Sequence, residues 1–121
     1  MPLNSQQTPT KGEIFLDHVG WYVPNLGEVV TSFSRLGFVV TPYSVHGDRD
    51  PNTGDIIPQG SANRLVMLES GYLEFLTVVD GTDTPVSRHL EDRMDKYIGV
   101  HLVAFTVADA EAEASRITGE G

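Results

Sequence analysis

Apolar positions along the chain follow two rhythms. Residues 13–23, Glu-Ile-Phe-Leu-Asp-His-Val-Gly-Trp-Tyr-Val, are rich in β-branched and aromatic side chains and stop at Pro24, which cannot continue a central ladder. They predict a strand with Leu16, His18, Gly20 and Tyr22 on one face and Asp17, Val19, Trp21 and Val23 on the other. After Asn25 the period changes, and Leu26, Val29, Val30, Phe33 and Leu36 form a helical stripe. Asn25 as N-cap, Glu28 in capping-box position and Gly37 as a stop predict a helix over 25–36. Residues 38–45 predict a second strand. Between 46 and 60 the density of Gly, Pro, Asp and Asn predicts a long irregular loop, placed as a lid at the mouth of any cleft.

Alternation returns over 62–69 and 71–79, separated by Ser70-Gly71, and predicts a hairpin. Tyr72, Glu74 and Leu76 share one face of its second strand; Leu73, Phe75 and Thr77 share the other. Thr84-Pro85 is an N-cap and N1 pair opening a helix over 85–97, with Val86, Leu90, Met94 and Tyr97 on one side. Residues 100–107 predict a fifth strand, with Phe105 on the face of His101, and Asp109 caps a helix to about 118. The order β-α-β-β-β, connecting helix, β-α is that of an α+β fold. Its last two elements repeat the first two, with His101 aligned on His18. The expected organisation is a tail over 1–12, a βαβββ module over 13–83, a connecting helix over 84–99, and over 100–121 the first strand and helix of a second, incomplete module.

Composition narrows the chemistry. The 121 residues contain no cysteine, which excludes a disulfide scaffold, thiolate metal sites and a cysteine nucleophile. A formal net charge of −9 argues against nucleic acid or anionic membrane as partner. No apolar run reaches the ~18 residues of a spanning helix, and the polar N-terminus lacks a signal-peptide stretch, so the expected compartment is the cytoplasm.

Three polar residues stand on otherwise apolar strands: His18, Glu74 and His101. A carboxylate in a buried strand is costly unless paired or bound to a cation. Two imidazoles and one carboxylate on a rigid sheet are the ingredients of an open metal site. The residues equally allow a plain reading, with each His hydrogen-bonded in place and Glu74 solvated or paired with Arg64. His46 and His89, in the loop and on a polar helix position, are expected to be solvated.

The βαβββ order, Asp17-His18-Val19, Leu36-Gly37-Phe38, Gly60-Ser61-Ala62-Asn63-Arg64 and Gly71-Tyr72-Leu73-Glu74 together resemble the vicinal-oxygen-chelate superfamily, and in it the glyoxalase-like domains. The resemblance implies a metal in a cleft between paired modules, with ligands from the first and fourth strands. Carried over, the metal ligands are His18, Glu74 and His101, and Glu74 is also the catalytic base. The implied cofactor is a divalent ion such as Fe, Mn, Ni, Co or Zn. Tyr22, Asn63, Arg64, Tyr72 and Phe105 are implied as contacts to a small-molecule substrate. The implied activity is that of a lyase or isomerase acting on metal-chelated neighbouring oxygens. A metal-free binding protein of bleomycin-resistance type and an extradiol-type dioxygenase are its alternatives. The strand at 100–107, apolar on both faces, must pair with 13–23 in its own chain or with another chain. The expected assembly is a homodimer with 100–118 in or near the interface.

Overall fold

A computed structural model describes residues 8–120. Of the expected tail, residues 1–7 lie outside the described residues. Residues 10–13 form a turn in which the Glu13 N–H donates to the Thr10 carbonyl (3.0 Å).

The elements are β1 (Ile14–Tyr22), α1 (Leu26–Arg35), β2 (Ser44–Arg49), β3 (Ile56–Met67), β4 (Tyr72–Val78), α2 (Pro85–Lys96), β5 (Gly99–Val107) and α3 (Ala110–Glu120). They build one five-stranded sheet in the order β2-β3-β4-β1-β5. β1 and β4 run parallel, because the chain returns to β1 only after crossing through α1, β2 and β3; the other pairs are antiparallel.

Each helix starts where its capping residue dictates. Asn25 Oδ1 accepts from the Gly27 and Glu28 N–H groups at the head of α1. At the head of α2 the Thr84 hydroxyl accepts from the Ser87 N–H, and the Ser87 hydroxyl accepts from the Thr84 N–H.

The apolar stripe of α1 covers one sheet face. Leu26 and Val29 close on Ala62, Val66 and Phe75, with Trp21 and Phe33 against them. Phe75, 1% exposed, anchors this layer, its ring 4.8 Å from Phe33 and 5.6 Å from Trp21. Truncating it to Ala costs about 3–5 kcal/mol. Among the described residues the opposite face is covered at one end, where Leu90 and Met94 of α2 pack on Tyr22, Leu76 and Val78. The remainder of that second face is open and carries the site.

Two expectations are corrected, and one left open is decided. The second strand, expected over 38–45, begins at Ser44; upstream of it only Val40 bridges, to Val66. Residues 46–60 are not an irregular lid. Gly47, Asp48 and Arg49 pair with Pro58, Ile57 and Ile56, so β2 and β3 form a hairpin around a turn at 50–55. An edge strand tolerates the breakers. Pro58 lies beyond the last β3–β4 register pair, Ser61–Val78, where its missing N–H leaves no partner on β4 unpaired. The turn itself is held by Asp50, whose Oδ1 accepts from the Asn52 and Thr53 N–H groups. Finally, β5 finds its partner within the chain, pairing with β1 from Ile14–Val107 to Tyr22–Gly99.

The β1–β5 register departs from simple alternation twice. Leu16 and His18 face the consecutive residues Phe105 and Ala104, leaving Asp17 as an extra residue on β1. Gly20 and Trp21 face Leu102 and Val100, leaving His101 extra on β5. Each is a β-bulge, which re-aims the side chain it carries. The face assignments change accordingly. Asp17, expected opposite His18, bonds to it. Leu16 and Phe105, expected on the faces of His18 and His101, are turned to the α1 side of the sheet.

Candidate functional site

β1 and β4 lie side by side, with His18 registered on Tyr72 and Gly20 on Glu74. That register brings His18, Tyr72 and Glu74 together on the open face. The His18 ring stacks on Tyr72 at 4.3 Å and 10°. The bulge at Asp17 supplies a carboxylate behind the imidazole: His18 Nδ1–H donates to Asp17 Oδ2 at 2.7 Å. This hydrogen bond fixes the tautomer and turns Nε2 toward Glu74, whose Oε1 is 3.7 Å away. Glu74 is held from behind as well, since Asn63 Nδ2–H donates to its Oε2 at 2.9 Å. Both His18 and Glu74 are largely buried, with side chains 17% and 15% exposed.

At 3.7 Å the Nε2 and Oε1 atoms do not share an ordinary hydrogen bond. With the Nδ1 proton committed to Asp17, the Nε2 lone pair faces a carboxylate oxygen. Such a pair calls for a positive charge between its members, a proton or a cation. Two ligands bonded at about 2.1 Å and spread by roughly 90–120° stand about 3.0–3.6 Å apart, close to the observed separation. A carboxylate on the far nitrogen of a ligating His, and a hydrogen bond on a ligating carboxylate, are the outer contacts that metal ligands carry. The pair therefore fits two positions of a divalent ion.

The structure does not bring His101 to this pair. Its Nδ1 accepts from Arg93 Nε–H at 3.2 Å, and its Nε2–H donates to the Tyr97 carbonyl at 2.8 Å, so both ring nitrogens are occupied. The imidazole lies between the rings of Tyr97 (3.9 Å) and Tyr22 (4.8 Å). Among the described residues no group of three or more His, Cys, Asp or Glu side chains is arranged to hold a metal ion.

Of the expected substrate contacts, Tyr22, Tyr72 and Asn63 are on the open face. Burial raises the phenol pKa of both tyrosines above its ordinary value. The Glu74 charge adds to the rise in each; Asp17 adds to it at Tyr72, and Arg93 opposes it at Tyr22. Both phenols therefore stay protonated through neutral pH and can donate. Arg64 is on the α1 face, registered on Phe75, with Nη1 donating to the Thr41 carbonyl at 3.0 Å. Phe105 is exposed on that side too, paired with Leu16.

Sequence reasoning missed two histidines expected to be solvated. His46 Nδ1 is 2.7 Å from the buried Ser61 hydroxyl. The His89 ring stands edge-on to Tyr22, 6.2 Å between centroids. Both partners are distant in sequence, and no local pattern announces them.

The family model described as "Glyoxalase-like domain" matches residues 16–121. Among curated proteins nothing matches. Among solved structures, a hypothetical protein from Bacillus halodurans C-125 superposes with a TM-score of 0.65 at 18% identity, over 90% of this chain and 70% of that one. Streptomyces coelicolor methylmalonyl-CoA epimerase (S115T), in complex with 2-nitronate-propionyl-CoA, gives 0.60 at 25% identity, over 90% and 72%. A second methylmalonyl-CoA epimerase gives 0.59 at 17% identity, over 92% and 74%. Among the described residues no helix is long and apolar enough to cross a membrane.

Proposed function

This chain belongs to the glyoxalase-like domain family, and from that premise we propose that its open sheet face is half of a divalent-metal site that moves a proton at a carbon beside a carbonyl. The observation that carries the reading is the His18–Glu74 pair, Nε2 to Oε1 at 3.7 Å, each partner held from behind by Asp17 or Asn63. His18 and Glu74 would hold the ion, which when bound polarises the substrate's oxygens. Glu74 takes the α-proton and returns it. Asn63 fixes the plane of the carboxylate, and Asp17 keeps Nε2 of His18 aimed inward. Tyr72 covers the imidazole and excludes water from one side. The protonated phenols of Tyr22 and Tyr72 are donors for the oxygen that gains charge as the proton leaves.

The likeness to an epimerase supports this reaction class, because inverting a stereocentre by deprotonation begins with the same proton removal. The remaining ligands come from outside this pair, and a second copy of the chain in a homodimer is the proposed source. One observation favours a second reading. With both nitrogens of His101 occupied, the face can hold a ligand between Tyr22 and Tyr72 without metal turnover.

Manganese titration of protein purified without chelator tests the proposal. The expected result is one tightly held ion per site, lost on His18→Ala and on Glu74→Gln. In D2O, the wild-type protein should exchange the α-protons of a hydroxyketone, and Glu74→Gln should not. Retention of manganese that ignores both substitutions, or no retention at all, refutes the metal reading and leaves the binding one.

A further inference from the structure

A second feature shares the open face. Between α2 and the sheet lies a chamber of about 280 Å³, walled by Tyr22, Leu76, Pro85, Val86, His89 and Leu90. Its polar floor, Ser61, is 3% exposed and is engaged by His46. The chamber adjoins the site on the same face of the sheet, Tyr22–Leu76 being two register pairs from Gly20–Glu74. Leu76 follows Glu74 by two residues on the same face of β4, about 6.7 Å along the strand. Tyr22 lines the chamber while its phenol feels the charge of Glu74.

We propose that this chamber receives the apolar substituent of the substrate whose oxygens sit at His18 and Glu74, and that it sets substrate choice. The inference rests on the reading of that pair as the reacting centre. Size and lining define the class. An apolar cavity of about 150 Å³ accepts a benzene ring, so this one takes an aliphatic or aryl group of roughly six to ten carbons. The walls are hydrocarbon apart from the His89 ring, which stands edge-on to Tyr22, and the floor hydroxyl already has a partner, so a polar tail would lose most of its hydrogen bonds on entry. Arg93, hydrogen-bonded to His101, acts on the Tyr22 phenol from outside the chamber and is not part of its lining. The substrate is therefore a compound with two adjacent oxygens and one apolar arm. A short polar metabolite would leave the chamber empty.

The test uses 1-hydroxyalkan-2-ones of three to nine carbons, with affinity read by calorimetry on the intact chain. Affinity should rise about fourfold per methylene once the chain passes Leu76, then level off as the chamber fills. Val86, 37% exposed at the mouth, can be enlarged without disturbing the core. Val86→Phe should bring the nine-carbon compound down to the affinity of the three-carbon one, and Val86→Ala should move the plateau to longer chains. A flat series in the wild-type protein, or a slope that ignores both Val86 variants, overturns the inference. Failure of the underlying reading looks different. The slope would persist, but the three-carbon compound would bind equally well to His18→Ala and Glu74→Gln, which separates the chamber from any reacting centre and overturns the linkage.

Discussion

Gly71 closes the β3–β4 hairpin directly behind the site, and replacing it with alanine makes the sharpest prediction about how the site is held. Gly71 has φ +77°, and a Cβ there would stand 2.3 Å from the Asp17 carbonyl oxygen. Two costs follow. The left-handed backbone costs an alanine about 1–2 kcal/mol. The clash adds an overpacking cost of about 1–3 kcal/mol, because the obstacle is backbone and must move by about 0.7 Å or more to reach tolerable contact. Gly37 separates the two, having φ +94° and nothing within 4 Å of its virtual Cβ. Gly37→Ala therefore pays the conformational cost alone, and the gain from a stiffer unfolded chain is common to both variants and cancels. At about 4–8 °C per kcal/mol for a small domain, Gly71→Ala should melt roughly 5–20 °C below Gly37→Ala. Urea denaturation of both variants measures the difference. Because Asp17 also positions His18, Gly71→Ala should lose manganese affinity while Gly37→Ala keeps it. Equal destabilisation of the two variants would refute the claim that the hairpin turn props up the Asp17 bulge.

Thr84→Ala removes the α2 cap, its hydroxyl's acceptance from Ser87 and its donation to the Gln59 carbonyl, and should cost about 1–2 kcal/mol by urea denaturation. For Tyr22 and Tyr72 the folded state favours the protonated phenol, so their contribution is constant below the ordinary value of 10.0. It is lost as pH rises from there through the raised folded values, where the unfolded chain ionises first. Phenolate absorbance should show a late-titrating component that Tyr22→Phe and Tyr72→Phe each reduce. Sedimentation at micromolar concentration should give a two-fold dimer; a monomer would mean that the other ligands are not supplied by a second copy.

What the sequence discloses and what it conceals divide along a physical line. The stripe of α1, its Asn25 cap, the Thr84-Pro85 start of α2 and the turn at Ser70-Gly71 are local signals, and the structure carries each of them. The pairing of His18 with Glu74 was legible because period-two alternation on β1 and on β4 is undisturbed at those positions. Asp17 was not legible, because a bulge exists only relative to the partner strand, and nothing within β1 marks the slip. Phe105 was misassigned to the His101 face for the same reason. The β2–β3 hairpin was concealed by composition, since an edge strand accepts Gly, Pro and Asp that a central strand would reject. Arg64 could have been placed from the start, because neighbours on an unbulged strand face opposite ways and Asn63 already faces the site.

The two bulges have a consequence for how this sheet can change length. They lie on opposite strands, so the offset opened at Asp17 is closed again at His101, and the ladder is back in register from Trp21–Val100 onward. Between them only the pairs His18–Ala104, Val19–Val103 and Gly20–Leu102 are displaced. Deleting Asp17 alone would straighten that end of β1, with Ile14–Leu16 still opposite Val107–Phe105 and His18 without its carboxylate. Deleting His101 alone would likewise leave Val100 and Gly99 opposite Trp21 and Tyr22. Removing both leaves a regular ladder, with His18 stripped of its carboxylate and Arg93 and the aromatic stack stripped of their imidazole. Each extra residue can be lost independently without turning its neighbours over, so a gap at either position in an aligned relative needs no matching gap in the other strand.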